Sequence, residues 1–118
     1  MEEAARGCVE GGGRTLGILP GDDARAANPW IALPLPSGLG EARNALVVRA
    51  GEAVVAVGGG WGTLSEIALA RKMGREVGLL GTPPAEALAL RRFEEPGEAA
   101  AWALEQAAQA REARRQKR

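Results

Sequence analysis

Apolar positions recur along this chain in two rhythms. Short unbroken apolar runs bounded by Gly and Pro read as strands, and stretches with apolar residues every three or four positions read as helices. Residues 2–10 put Ala4, Ala5, Cys8 and Val9 on one side of a helix that Gly11-Gly12-Gly13 ends. Thr15–Leu19 is a short buried strand closed by Pro20-Gly21, and Asp22–Pro29 is a polar loop. Trp30–Leu35 is another apolar segment, whose Pro34 argues for a short or terminal strand. Ser37 is placed to cap a helix from Gly38 to about Arg49, stopped by Gly51.

Ala53–Val57 is a continuous apolar run, with the length and β-branched content of a strand buried on both faces. Gly58, Gly59, Gly60 and Gly62 follow at once. A helix is predicted over 63–73, with Leu64, Ile67 and Ala68 on neighbouring turns. Gly74 ends it behind Arg71 and Lys72, cations that suit the negative end of a helix. Glu76–Leu80 is a strand, Gly81–Pro84 a turn into a short Ala/Leu helix, and Leu90–Phe93 a last edge strand. Pro96 opens the final helix, packed through Trp102 and Leu104, and Arg111–Arg118 is a basic tail expected to fray. Strands alternating with helices predict an α/β fold: a Rossmann-like open parallel sheet with helices on both faces, three layers α/β/α, in one domain over residues 1–118.

The glycine loop is the segment with chemical promise. A turn at the carboxyl end of a parallel strand is where such sheets bind ligands, and the following helix aims free N–H groups and a positive dipole end at the occupant. A phosphate fits that environment. The competing reading is a tight turn in which Thr63 caps the helix and Glu66 reaches back to it as a capping box.

Composition narrows the chemistry. The chain has 118 residues, enough for one small core with a stability of about 5–15 kcal/mol. Fifteen basic and fifteen acidic residues balance, so no global field draws nucleic acid or an anionic membrane. Aromatics make up only 3%, which argues against a base-stacking platform for RNA. No apolar run approaches the ~20 residues that span a bilayer, and the start is acidic, unlike a signal peptide. Cys8 is the single cysteine, compatible with a cytoplasmic setting, and is expected to pack inside its helix. There is no His, which removes imidazole bases, Ser-His-Asp triads and most transition-metal sites, so no metal is expected. Asp22 and Asp23 lack a third ligand nearby and read as a solvated pair. The lysines are Lys72, near a helix end, and Lys117, in the tail; neither suits a buried Schiff base, so pyridoxal-phosphate decarboxylation is excluded.

Three stretches resemble a known family. Gly59-Gly-Trp-Gly-Thr-Leu-Ser-Glu66 is similar to the Gly-Gly-x-Gly-Thr-x-x-Glu motif of the LONELY GUY (LOG) family, and closer still to related bacterial proteins labelled possible lysine decarboxylases or molybdenum-cofactor-carrier-like proteins. Gly38–Arg49 and Thr15–Gly21 resemble the same subgroup, and the likeness covers roughly residues 1 to 80. LOG enzymes usually carry Pro where this chain has Gly58, which leans the match toward the carrier-like subgroup.

The resemblance implies two functions. One is hydrolysis of the N-glycosidic bond of a nucleoside 5′-monophosphate such as AMP, with no cofactor required and with Glu66 and Arg43 catalytic. Glu66 would stabilise the oxocarbenium-like sugar, and Arg43 would clamp the phosphate or hold Glu66 ionised. The alternative is a non-catalytic carrier of molybdenum cofactor or a related phosphorylated pterin or nucleotide. In both, Gly58, Gly59, Gly60, Gly62 and Thr63 cradle the phosphate, while Asn44 and Trp61 contact the ligand. The resemblance also implies that the family's first strands are absent before Met1, so that either Met1 is a misassigned start or a homodimer or higher homo-oligomer covers the edge they leave.

Overall fold

The computed structural model describes residues 1–81 and 90–117. The turn and short helix expected over 81–89 fall, after Gly81, outside the described residues. The elements in order are α1 (Glu2–Glu10), β1 (Leu16–Leu19), β2 (Leu33–Pro36), α2 (Arg43–Ala50), β3 (Ala53–Val57), α3 (Trp61–Lys72), β4 (Glu76–Leu80), β5 (Arg91–Phe93) and α4 (Pro96–Gln116), with 3-10 turns at Ala24–Ala26 and Gly40–Ala42. Every strand pair is parallel, as the alternation predicts. The chain forms two compact units, Met1–Leu46 and Val47–Arg118.

The carboxyl-terminal unit holds a sheet in the order β3-β4-β5. Register pairs Val54 with Val77 and Ala56 with Leu79, so these four side chains share one face. They pack with Val48 of α2 and with Ile67 and Ala70 of α3. Gly78 faces the other way, and a Cβ there would stand 2.8 Å from both the Phe93 ring and the Trp102 ring of α4. Glycine is therefore what lets α4 close on this face. Phe93 and Trp102 meet as a tilted aromatic pair, centroids 5.5 Å apart. Helices cover both faces, giving the expected three-layer α/β/α arrangement.

The amino-terminal unit pairs β1 with β2 alone. The backbone N–H groups of Leu33 and Ser37 donate to Thr15 and Leu19. The intervening prolines, Pro34 and Pro36, thus turn their donorless nitrogens to the outer side, which suits an edge strand.

Four expectations need correction. The helix predicted from Gly38 begins only at Arg43, because Gly38 (φ 65°) and Gly40 (φ 58°) are left-handed and cannot lie in it. Ser37 consequently caps no helix; its Oγ donates to the Leu19 carbonyl at 2.6 Å and accepts from Leu39 N. Cys8 is exposed rather than packed, with Sγ 3.5 Å from the Arg14 carbonyl. The basic tail does not fray at 111: α4 continues to Gln116 because Arg111 and Arg114 both grip Glu52, just before β3.

Candidate functional site

The parallel strands of the carboxyl-terminal unit end at one edge, where Val57 pairs with Leu80 and Leu80 with Phe93. Two glycines turn the chain away there. Gly58 extends the ladder by one bond, its N–H donating to the Leu80 carbonyl at 3.0 Å, and then adopts φ 62°. Gly81 leaves β4 with φ 84°, and a Cβ on it would come within 3.8 Å of the Gly58 backbone. Proline, held at φ near −65°, could not take the Gly58 conformation, so this loop differs locally from one with Pro at that position. Sequence reasoning passed over Gly81 as a plain turn residue. The signal was available: like Gly58, it directly follows a buried apolar strand.

Beyond Gly59 the chain enters α3 at Trp61, with Gly60 as N-cap and no side chain capping the end. Thr63 is the third helical residue, which rules it out as the cap of a capping box. The first bond of the helix runs from the Leu64 N–H to the Gly60 carbonyl, at 3.1 Å. The N–H groups of Trp61, Gly62 and Thr63 therefore lack intrahelical acceptors and stand at the positive end of a twelve-residue helix. Among the described residues, a Cβ added at Gly58, Gly60 or Gly62 would meet nothing within 4 Å, so these three positions border open space. Trp61 is 84% exposed beside it. Thr63 and Glu66 are half-buried on the first turns of α3.

Arg43 and Asn44 open α2, in the amino-terminal unit. Arg43 Nη1 donates to the Ile18 carbonyl at 2.6 Å, tying the start of α2 to β1. Asn44 is buried, at 8% exposure. The structure thus groups Gly58, Gly59, Gly60, Trp61, Gly62, Thr63 and Glu66 in one unit and Arg43 with Asn44 in the other.

Charge around the fold is arranged locally. The Arg25 side chain holds the Asp23 carboxyl below its ordinary range. Arg111, with Arg114 beside it, does the same for Glu52. Among the described residues no three His, Cys, Asp or Glu side chains gather to hold a metal ion, and no helix is long and apolar enough to cross a membrane.

The sequence model of the SLOG cluster4 family matches residues 1–113. An uncharacterized protein of Archaeoglobus fulgidus is 38% identical over 104 residues, 88% of this chain and 68% of its own length. Among solved structures, the molybdenum cofactor binding protein of Rippkaea orientalis superposes with a TM-score of 0.78 at 32% identity, covering 86% of this chain and 68% of that one. The molybdenum cofactor carrier protein of Chlamydomonas reinhardtii does so with a TM-score of 0.73 at 35% identity, covering 90% and 69%. This chain belongs to the SLOG cluster4 family, within the LOG-like superfamily.

Proposed function

We propose that this protein binds molybdenum cofactor, or a related phosphorylated pterin or nucleotide, at the Gly58–Thr63 loop and acts as a carrier. The observation that carries the reading is the uncapped start of α3 behind an open glycine loop, in a chain similar to two proteins named for binding or carrying that cofactor. Free N–H groups at a helix start favour a phosphate through both hydrogen bonds and the dipole. Gly59, Gly60, Gly62 and Thr63 supply backbone donors, and the Thr63 hydroxyl adds one more. Trp61 offers a flat, exposed face to a fused ring. Arg43 and Asn44 are assigned to the same ligand by the family resemblance, Arg43 as a countercharge and Asn44 as a polar contact.

A hydrolytic reading is favoured by one residue. Glu66 lies a little over one turn into α3, and a carboxylate near a departing base would stabilise an oxocarbenium-like sugar. A carrier has no use for that chemistry.

One experiment separates these readings. The protein is purified from a host that makes the cofactor, and any bound pterin is released, oxidised and measured by its fluorescence. Gly62→Asp puts a carboxylate into open space at the helix start, where it would repel a phosphate without a steric clash. Pterin retained by the wild type and lost in a folded G62D, with no free base formed from AMP, is the expected result. Base release from AMP that Glu66→Gln abolishes would replace the carrier by the hydrolase. A ligand at a hundredfold excess over its Kd stabilises by about 2.7 kcal/mol. Absence of bound pterin, with no thermal shift from AMP, GMP or phosphate, would end the phosphate-cradle reading altogether.

A further inference from the structure

Net charge is zero, yet the cations are unevenly placed. In the carboxyl-terminal unit, the ends of α2, α3 and α4 lie around the amino ends of β3 and β4, opposite the glycine loop. Arg75 Nη2 donates to the Arg49 carbonyl at 3.2 Å, which joins the close of α2 to the turn before β4. The carboxylates here are already engaged: Glu52 by Arg111 and Arg114, and Glu76 by Arg71 at 3.8 Å. Glu112 adds one more acid on α4. Arg49, Lys72, Arg75, Arg115 and Lys117 form no ion pair among the described residues.

Cations at helix ends offset the negative dipole end, and that accounts for part of the excess. It does not account for Arg75, which lies beyond α3 and keeps a buried Nε without a partner. Nor does it require Arg115 and Lys117 after Arg111 and Arg114 have closed α4 onto Glu52.

We propose that this end of the carboxyl-terminal unit is a docking surface for a carboxylate-rich face of another protein. The cations are mostly arginine, whose planar fork matches carboxylates in pairs. Among the described residues of the carboxyl-terminal unit no aromatic side chain stands at this end to stack a base; Trp61 and Phe93 lie at the opposite edge of the sheet, and Trp102 is packed over Gly78. With zero net charge, attraction to an extended polyanion is cancelled beyond the Debye length of about 8–10 Å. A compact acidic patch that covers only this end meets the cations without meeting the acids elsewhere. Docking here leaves the glycine loop uncovered, so the surface does not depend on what that loop binds.

The test is binding of a short fluorescein-labelled polyglutamate peptide, no longer than the cationic end it is to cover, read by anisotropy at low and physiological salt. The probes for comparison are a single-stranded oligonucleotide of equal charge and anionic lipid vesicles. R49E/K72E/R115E reverses three cations and spares the structural Arg75; R6E/R14E/R25E is the equal-charge control. Salt-sensitive polyglutamate binding that weakens about tenfold in the first variant and holds in the control is expected, the size that three exposed ion pairs support. No binding, equal binding by the first variant, or equal loss in the control would overturn the proposal, as would tighter binding of the oligonucleotide or vesicles. Near-ultraviolet circular dichroism of Trp102 reports folding; if the triple variant unfolds, K72E and R115E alone, on exposed last turns, must each weaken binding.

Discussion

The two compact units of this chain use the same kind of element, short parallel strands, and are held together by different forces. In Val47–Arg118, Val48, Ala56, Ile67, Ala70, Val77, Leu79, Phe93 and Ala99 are buried, on a sheet with helices on both faces. In Met1–Leu46 the buried apolar side chain is Ala5. Leu16, Leu33 and Leu35, which register places on one face of the β1–β2 pair, are 52%, 59% and 47% exposed. Polar straps hold this unit instead. Thr15 Oγ1 donates to the Trp30 carbonyl and accepts from Ala32 N, Ser37 Oγ bridges Leu19 and Leu39, and Arg43 reaches Ile18. The difference lies in what flanks the strands. A run such as Val54-Val-Ala-Val57 becomes a core only when a helix lies over each face, whereas on the face of β1 opposite its exposed leucine the cover is the Ile31 side chain from the loop before β2, 2.9 Å from where a Cβ on Gly17 would stand.

The largest expected effect tests that contrast directly. Ile67→Ala empties a fully buried site between α3 and β3–β4 and should cost about 2–5 kcal/mol in urea denaturation. Leu33→Ala removes a side chain already 59% exposed and should cost well under ~1 kcal/mol. Equal losses would mean that the exposed leucine face is covered in solution, and the contrast between the units would fail.

The same contrast explains what could be read from residues alone. β3, β4 and the loop between β3 and α3 were legible because an unbroken apolar run, a glycine cluster and a helical repeat each carry their own signal. The start of α2 was not. Ser37 has the right chemistry for a cap, and only the left-handed backbone at Gly38 and Gly40 shows that the helix cannot begin there. A capping box at Thr63–Glu66 fits the spacing as well as a phosphate loop does, and the choice needed the observed helix start at Trp61. The exposure of Cys8 and the grip of Arg111 and Arg114 on Glu52 depend on contacts distant in sequence or on missing cover, which no local pattern records.

A middle-sized effect sharpens the comparison from the other side. Thr15→Val keeps the shape of the side chain while leaving the Trp30 carbonyl and Ala32 N–H without their partner, at a cost of about 1 kcal/mol. Ser37→Ala should act similarly through Leu19 and Leu39. Hydrogen exchange is the informative measurement, because protection should fall in β1 and β2 and stay unchanged in β3–β5. Equal loss of protection across both sheets would show that the straps support the whole chain rather than one unit.

The smallest effect lies at the far end of the packed unit, where it too relies on a polar strap. Glu52 accepts from Arg111 at 2.8 Å and from Arg114, and the Arg111 hydrogen bond is the main reason its carboxyl titrates below the ordinary 4.5. A carboxyl whose folded-state pKa is depressed contributes stability that is present above its unfolded value. That contribution is lost as pH falls through the lower, folded value. At neutral pH, Glu52→Gln should therefore speed hydrogen exchange in the last turns of α4, around residues 111–116, while the exchange of Ile67 and Leu79 stays at wild-type rates. Between the ordinary carboxylate value and the depressed folded one the difference should shrink, and below the folded value the two proteins should converge, because only there does the folded wild-type carboxyl take up a proton and lose its ion pairs with both arginines. Both arginines are exposed, so the strap is screened, and the difference should also shrink with added salt. A difference that persisted unchanged into acid would assign the hold on α4 to packing around Trp102 instead of to charge.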